Sequence, residues 1–177
     1  MAIEQADWKD ILEILRETCR IWSVGLPKDL FYDHVSRQMT HPWGLRNYRY
    51  MVYRKNRKIV SSLKLYQLHF SSRGKCYKFA GIGALYTQES CRGRGYASDL
   101  LMEIIRIAAT KQSDGIILFS DIDPLFYKSF GFQELGGTDF SITLSKSDHL
   151  AKDTIAADTT VGDVSLEDIG EHHIPFL

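Results

Sequence analysis

The loop at residues 92–95 carries two arginines that alternate with two glycines, immediately before a segment of helical periodicity. The N-terminus of a helix presents backbone N–H groups without intrahelical partners, together with a partial positive charge. Glycines let those N–H groups approach an anion closely, and arginines add charge and donors for phosphate oxygens. The residues from Arg92 to Ser98 therefore predict a binding site for a phosphate or a pyrophosphate.

Two common phosphate ligands are disfavoured by the same loop. It lacks the Gly-Lys-Ser/Thr ending of the loops that bind nucleoside triphosphates for hydrolysis. Ser98 stands where the third glycine of a dinucleotide-binding Gly-x-Gly-x-x-Gly pattern would be. The strand before the loop also belongs to an antiparallel meander, whereas a dinucleotide site needs a βαβ unit. A different pyrophosphate ligand is therefore favoured.

The elements before the loop are predicted by hydrophobic periodicity and turn residues. Apolar residues at helical spacing indicate a helix from Asp7 to about Trp22. A second helix starts near Pro27, and the segment from Thr40 to Leu45 breaks it. Three strands joined by short polar turns then form an antiparallel meander. These strands are predicted at residues 48–53, 59–70 and 75–87.

The elements after the loop alternate between helix and strand. A broad apolar stripe predicts a helix over 98–111, and the continuous apolar run 116–119 predicts a strand covered on both faces. A short helix at 124–130, ended by Gly131, and an alternating strand at 138–144 complete the order. The predicted class is α+β (α/β in looser usage), with N-terminal helices, a mostly antiparallel mixed sheet and a central strand–phosphate loop–helix unit.

Two short motifs in this order resemble the GNAT superfamily of N-acetyltransferases. Arg92, Gly95 and Ala97 fill the defined positions of its acetyl-coenzyme A signature, Q/R-x-x-G-x-G/A. Downstream, the stretch 126–132 matches its Tyr-x-x-x-Gly-Phe element, and the interval between the two motifs also fits. The resemblance covers roughly residues 48–144. The phrases Gly-Ile-Gly-Ala-Leu-Tyr-Thr and Phe-Ser-Asp-Ile-Asp-Pro-Leu-Phe-Tyr further resemble a subgroup that includes proteins like the fungal lysine ε-N-acetyltransferases.

The resemblance implies a GNAT-like fold and acetyl-CoA as the co-substrate. Backbone amides from Arg92 to Ala97 would hold the pyrophosphate, and Leu85 and Thr87 would pair with the pantetheine arm like an added strand. Tyr127 matches the family tyrosine that often protonates the departing thiolate, and a phenol with a reference pKa near 10 is a ready proton donor at neutral pH. The residues implied in cofactor binding are Leu85, Tyr86, Thr87, Arg92, Gly93, Arg94, Gly95, Tyr96, Ala97 and Ser98.

The motifs do not identify the general base. Many members of the superfamily carry a glutamate on the strand that leads into the loop, but residues 82–87 contain no acid. Glu89 at the mouth of the loop and Asp121 after the next strand are candidates, with Asp123 and His69 as further ones. A bound water could also relay the proton. For each of these side chains, a structural role is favoured over a role as the general base.

The predicted reaction is direct transfer of an acetyl group to a primary amine, on a small molecule or a lysine-like acceptor. Aromatic side chains near the first helices could line the acceptor site, and acidic ones could attract a cationic amine such as free lysine or a polyamine. The missing strand acid supports an alternative, a non-catalytic acyl-CoA-binding sensor module. The aromatic candidates are Trp22, Phe31, Tyr32, Trp43 and Tyr66, and the acidic ones are Glu17, Asp29 and Asp33.

Composition limits the other function classes. In 177 residues, 22 Lys and Arg balance 22 Asp and Glu, and this zero net charge argues against a nucleic-acid binder. No apolar run reaches the length of a membrane span, and three cysteines are too few and irregular for a disulfide framework or a metal site. A cytoplasmic protein without a metal is expected. Residues 1–145 are expected to form the acetyltransferase domain, and 146–177 a polar linker or tail, or the start of a further domain.

Overall fold

The fold is taken from a computed structural model that describes residues 2–120 and 123–134. The predicted strand at 138–144 and the predicted tail lie outside the described residues. A 3₁₀ turn, Glu89–Cys91, precedes the glycine loop. In chain order the helices and strands are β1 (Ala2–Gln5), α1 (Trp8–Trp22), α2 (Lys28–Thr40), α3 (Pro42–Asn47), β2 (Tyr48–Lys55), β3 (Lys58–Ser72), β4 (Lys75–Thr87), α4 (Tyr96–Thr110), β5 (Gly115–Leu118) and α5 (Pro124–Lys128).

The five strands form one sheet in the order β1-β2-β3-β4-β5. All neighbouring strands are antiparallel except β4 and β5, which run parallel. The predicted α+β class and the antiparallel meander of β2, β3 and β4 are therefore confirmed. The strand β1 differs from the predicted order, in which helices come first. Its four residues pair with residues 51–54 of β2, and so short a segment has no periodicity of its own.

The connection between α2 and β2 also differs from the prediction. The sequence predicts a break there, but the short helix α3 follows after one residue. His41 Nδ1 accepts a hydrogen bond from the N–H of Trp43 (3.2 Å), and Pro42 occupies the first helical position. A Cβ on Gly44 would lie 1.9 Å from the carbonyl oxygen of Gln38, so only glycine lets α3 pack this closely on α2.

Helices cover both faces of the sheet and bury two apolar cores. On one face, α1 and α2 contribute Leu15 and Val35. On the other face, α4 contributes Leu100 and Ile104, which pack with Leu63 of β3. Each of these five side chains is at most 1% exposed, and full burial of one such side chain stabilises the fold by about 1.5–3 kcal/mol. We call the two sides of the sheet the α1 face and the α4 face.

The parallel strands β4 and β5 separate halfway along β4. They pair over four residues, the last being Ile82 opposite Leu118, where β5 ends. β4 continues to Thr87. In the described part of the chain, no strand pairs with the edge of residues 83–87 that β5 leaves open. We call this opening the fork.

A bulge in β4 lies at the start of the fork. On the β3 side, Lys64 lies opposite Gly83, but Ser62 lies opposite Tyr86, so β4 contains one extra residue between these pairs. Ala84, within that interval, has a φ of 48°, which is rare for a residue with a side chain. A bulge bends its strand and increases the local twist. The bend therefore coincides with the point where β4 leaves β5.

Candidate active site

The glycine loop joins the open end of β4 to the N-terminus of α4. Gly93 and Gly95 have φ of 71° and 79°, in the left-handed region that favours glycine. Gly95 is the N-cap residue of α4, and no side chain caps this helix. None of the described residues accepts a hydrogen bond from the backbone N–H groups of residues 93–98. These groups are therefore available to an anion.

Three cationic side chains lie around these N–H groups. Arg92 and Arg94 are exposed on the loop itself, and Arg92 Nε donates a hydrogen bond to the Thr87 carbonyl (3.2 Å). Lys55 is the last residue of β2, and its Nζ donates a hydrogen bond to Tyr96 Oη (2.8 Å). This hydrogen bond raises the pKa of Lys55 above its usual value. The region beside the N-terminus of α4 thus carries positive charge from two parts of the chain.

Leu85, Tyr86 and Thr87 form the open edge of β4 beside the loop. On the β3 side, Ser61 Oγ donates a hydrogen bond to the Tyr86 carbonyl (2.7 Å) and lies 3.0 Å from Thr87 Oγ1. The ring of Tyr86 meets Trp22 of α1 edge to face at 6.2 Å. The side chain of Leu85 packs against the core of the α4 face. A ligand in the fork would therefore meet mainly backbone along this edge.

Tyr127 lies on α5 and is only 4% exposed. Its ring packs edge to face with Phe132 at 5.9 Å. It shares the core of the α4 face with Ile82 and Leu118, the last paired residues before the fork. Burial raises the pKa of its phenol, and a hydrogen bond with Ser120 acts in the opposite direction. The phenol is therefore neutral at pH 7, in the core that adjoins the fork.

The candidates for the general base are dispersed. Glu89 is exposed and forms an ion pair with Arg20 of α1. Asp123 caps the N-terminus of α5, and Asp121 lies outside the described residues. Thr87 pairs with Ser61 of β3, and His69 lies eight residues further along β3, about 26 Å away in an extended strand. Of the described candidates, Glu89 is the one nearest in sequence to the glycine loop.

A cleft of about 450 Å³ lies between α1 and the end of β4. Within it, Glu17 Oε1 accepts a hydrogen bond from Gln88 Nε2 (3.1 Å). Burial, together with the nearby Glu17 carboxylate, raises the pKa of the Tyr86 phenol. The cleft therefore places a carboxylate on the α1 face, next to the fork. Its lining consists of Arg16, Glu17, Arg20, Tyr86, Gln88, Glu89 and Ser90.

The aromatic residues that the sequence suggests for the acceptor do not share one surface. Phe31 is 5% exposed and belongs to the core of the α1 face. Trp22 packs against Tyr86, whereas Trp43 stacks on Tyr66 at 6.4 Å. Tyr66 lies next to the fork, because the Cβ of a side chain at Gly83 would be 3.3 Å from its ring.

Lys64 is a residue of this site that sequence reasoning misses. It lies on β3 directly opposite Gly83, and its Nζ is 5.7 Å from the ring centroids of both Tyr48 and Tyr50. Burial lowers its pKa to about 8. The alternating tyrosines of β2 are visible in the sequence, but only the register between β2, β3 and β4 brings them together with Lys64 at the fork.

Three further observations concern metal ions, membrane spans and cysteines. Within residues 2–120 and 123–134, no group of His, Cys, Asp and Glu side chains is arranged to hold a metal ion. No helix in the same part of the chain is long and apolar enough to cross a membrane. All three cysteines are free thiols.

Several solved structures share this fold. A possible acetyltransferase from Clostridium difficile superposes with a TM-score of 0.65 at 18% identity, over 81% of this chain and 97% of that one. An acetyltransferase from Trypanosoma brucei gives 0.58 at 19% identity, over 81% and 98%. A predicted acetyltransferase from Clostridium acetobutylicum, solved with acetyl-CoA, gives 0.57 at 20% identity, over 84% and 97%. At these identities the likeness concerns the fold alone.

No curated protein matches the chain, but a family model does. Residues 3–135 match the model described as an acetyltransferase (GNAT) domain, and this span includes both the glycine loop and the Tyr-x-x-x-Gly-Phe element. The resemblance seen in these motifs is confirmed, whereas the narrower likeness to fungal lysine acetyltransferases stays a prediction. The chain therefore belongs to the GNAT acetyltransferase family.

Proposed function

We propose that the protein is an acetyl-CoA-dependent N-acetyltransferase that moves the acetyl group directly to a primary amine. Family membership supports acyl transfer, and one structural neighbour was solved with acetyl-CoA. The observation that carries the proposal is the fork. In the part of the chain that the structure describes, no strand pairs with the edge of β4 at residues 83–87, and this edge leads to the N-terminus of α4, which no described side chain caps. An extended arm ending in a pyrophosphate fits such a site because it can pair along the edge and end at the loop.

In this proposal the pyrophosphate binds the N–H groups of residues 93–98, with Arg92, Arg94 and Lys55 supplying charge. The pantetheine arm pairs with Leu85 and Thr87, and the thioester lies at the bulge. The remaining loop contacts come from the backbone of Gly93, Gly95, Tyr96, Ala97 and Ser98, and the remaining edge contact from Tyr86.

The chemical step needs a nucleophile, an oxyanion site and a proton donor. The amine nitrogen forms a bond to the thioester carbon, and the carbonyl electrons move to oxygen. A backbone N–H near Leu85 stabilises this oxyanion, a contact worth a few kcal/mol. The carbonyl then re-forms as the C–S bond breaks, and Tyr127 protonates the departing thiolate. The proton lost by the amine goes to Glu89, to Asp121 or to a water.

An acyl-CoA sensor without turnover is the second candidate. Its specific support is that residues 82–87 contain no acid, while Glu89 is held by Arg20. A sensor binds acetyl-CoA but releases no thiol on any amine, whereas an enzyme does both.

The test is calorimetric titration with acetyl-CoA, followed by a panel of amines with detection of free thiol. The variant Arg92→Ala/Gly95→Glu should abolish binding, because it removes one cation and places a carboxylate at the N-cap of α4. Its matched control is Arg106→Ala/Gly74→Glu: Arg106 pairs with Glu103 on α4, and Gly74 has a similar φ of 74° in an open turn. Tight binding by the first variant would refute the loop assignment.

We also infer a cytoplasmic location for the enzyme. The three free thiols support it, because reducing compartments preserve unpaired cysteines. Fractionation of cells that express the chain would check this point.

A further inference from the structure

Among residues 2–120 and 123–134, Lys64 is a partly buried cation without an anionic partner. None of the described carboxylates forms an ion pair with it, and its Nζ has no hydrogen bond. Its neighbours are instead the faces of Tyr48 and Tyr50, each 5.7 Å from Nζ. Aromatic faces offset only part of the desolvation of an ammonium group. The buried phenol of Tyr48 adjoins the phenols of Tyr50 and Tyr66, so these neighbours are neutral groups as well. This cluster therefore lacks a ligand that accepts hydrogen bonds.

The position of Lys64 relates it to the fork. It lies on the α1 face, directly opposite Gly83, the last residue before the bulge. A Cβ at Gly83 would lie 3.9 Å from Lys64 Cβ and 3.8 Å from Tyr66 Oη. The expected place of the thioester, near Leu85, is two residues further, about 7 Å along the strand. An ammonium on the flexible stem of Lys64 can thus reach a group bound next to the thioester.

Glu17 lies on the other side of the bulge. Its carboxylate accepts a hydrogen bond from Gln88 and lies close to the phenol of Tyr86, two residues that follow the bulge. The α1 face therefore presents a negative charge after the bulge and a positive charge before it. A ligand with a cationic amine and an anionic group at its two ends is complementary to this arrangement.

Lys64 and the proposed phosphate site lie on opposite faces of the sheet. In the proposed function the pyrophosphate binds at the N-terminus of α4, whose helix packs on the opposite face of the sheet. An acceptor that approaches from the α1 face therefore meets the thioester without competing with the cofactor's phosphates.

We propose that the acceptor is an amino acid, whose carboxylate binds the ammonium of Lys64 while its amine lies at the bulge on the side of Glu17. This inference rests on the proposed acetyltransferase function and names its substrate class. Lys64 is a binding residue that selects the acceptor, and Tyr66 Oη is a second donor within reach of the same carboxylate. An amine without a carboxylate leaves Lys64 unpaired and therefore binds more weakly.

The experiment compares each amino acid with its carboxamide, which keeps the shape and removes the negative charge. The wild-type protein should have a KM about 10- to 100-fold lower for the acid than for the amide, because a charge-assisted hydrogen bond is lost. Lys64→Met should remove this preference by raising KM for the acid while kcat changes little, and Lys64→Arg should keep most of it. Lys75→Met, at an exposed lysine at the start of β4, is the control and should leave both values unchanged.

Two results would overturn the proposal. One is an equal KM for acids and amides in the wild-type protein. The other is a fall in kcat for acid and amide alike in Lys64→Met, which would indicate that Lys64 acts as a base on any amine. Thermal unfolding of Lys64→Met verifies that the variant is folded.

A binding measurement separates this proposal from the proposed function. Ligand-observed NMR with the CoA-loaded protein compares N-acetyl amino acids with their amides. If no amine releases thiol, the enzyme assignment fails. A preference for the N-acetyl acids that Lys64→Met removes would then still support the carboxylate site, and equal binding of acids and amides would refute it.

Discussion

The ammonium of Lys55 and the phenol of Tyr96 are joined by a hydrogen bond of 2.8 Å, which ties the end of β2 to the first residue of α4. The ring of Tyr96 also packs edge to face with Tyr53 at 5.4 Å. Tyr96 therefore holds the N-terminus of the helix in place and orients a cation beside it. The hairpin of β2 and β3 thus adds a cation to the proposed anion site, which the glycine motif alone would confine to a single loop.

Lys55→Met should weaken acetyl-CoA binding about two- to five-fold. The expected loss of affinity is small because Lys55 is exposed to solvent, and solvent screens its interaction with the phosphates. Calorimetry at low salt and at 1 M salt measures this loss of affinity. The difference in affinity between the variant and the wild type should shrink at high salt. Tyr96→Phe keeps the charge and should have a smaller effect. Lys111→Met, just beyond the C-terminus of α4, is the control, and an equal loss there would mean that Lys55 has no specific role.

Tyr127→Phe should lower turnover about 100-fold or more and leave acetyl-CoA affinity nearly unchanged. Burial raises the pKa of this phenol, whereas a thiol has a reference pKa near 8.5. Proton transfer from this phenol to a free thiolate is therefore uphill, so Tyr127 must give its proton to the sulfur while the C–S bond breaks. Single-turnover kinetics with a saturating amine measure this step.

The control for this substitution is Tyr77→Phe, on the part of β4 that lies away from the fork. This variant also loses one phenolic hydroxyl group, but at a position that does not contact the proposed thioester site. Unchanged turnover in Tyr127→Phe would leave Tyr127 with a packing role only, against Phe126 and Phe132.

The sequence predicts those parts of the fold that repeat a local pattern. The helix α4 is predicted from the stripe of Leu100, Leu101 and Ile104, each of which is fully buried. The strand β4 is predicted with its observed bounds, because polar turns precede and follow it. The short helix α5 follows from Pro124 at its first turn and a glycine after its end.

The remaining features depend on contacts between distant residues. The strand β1 is a strand because β2 pairs with it, and the bulge at Ala84 is visible only in the register with β3. Lys55 and Lys64 belong to the site because of strand pairings that no local spacing encodes. The glycine loop can be recognised in the sequence because it consists of consecutive residues, whereas the proposed acceptor site is assembled from α1, β2, β3 and β4.

Leu100→Ala should lower the free energy of unfolding by about 2–5 kcal/mol. Leu100 is fully buried between α4 and the sheet, and its truncation leaves a cavity in the core that also contains Tyr127. Denaturant unfolding measures the change. Met102→Ala, on the exposed side of the same helix, should change it by less than about 0.5 kcal/mol. Similar losses for both would mean that α4 is not packed as described.

Asp10 links the N-terminus of α1 to β2, and this link should depend on pH. Burial alone would raise the pKa of Asp10, but a hydrogen bond and ion pair with Arg54 and the N–H of Asp7 outweigh it and hold the pKa below its usual value. The ionised carboxylate therefore stabilises the fold above the unfolded pKa of about 3.9, and this contribution is lost as the pH falls through the folded pKa.

Asp10→Asn should accordingly lower the free energy of unfolding by about 1–2 kcal/mol at pH 7, because it weakens the capping box and the pairing with Arg54. The gap between variant and wild type should narrow as the pH falls below 4, since the wild-type carboxyl then takes up its proton. Denaturant unfolding from pH 7 to pH 3 measures both quantities. Asp33→Asn removes an exposed ion pair with Arg37 and should have little effect at any pH. A gap that stays constant down to pH 3 would mean that the charge of Asp10 does not stabilise the fold, and that only the shape of its side chain matters for the cap.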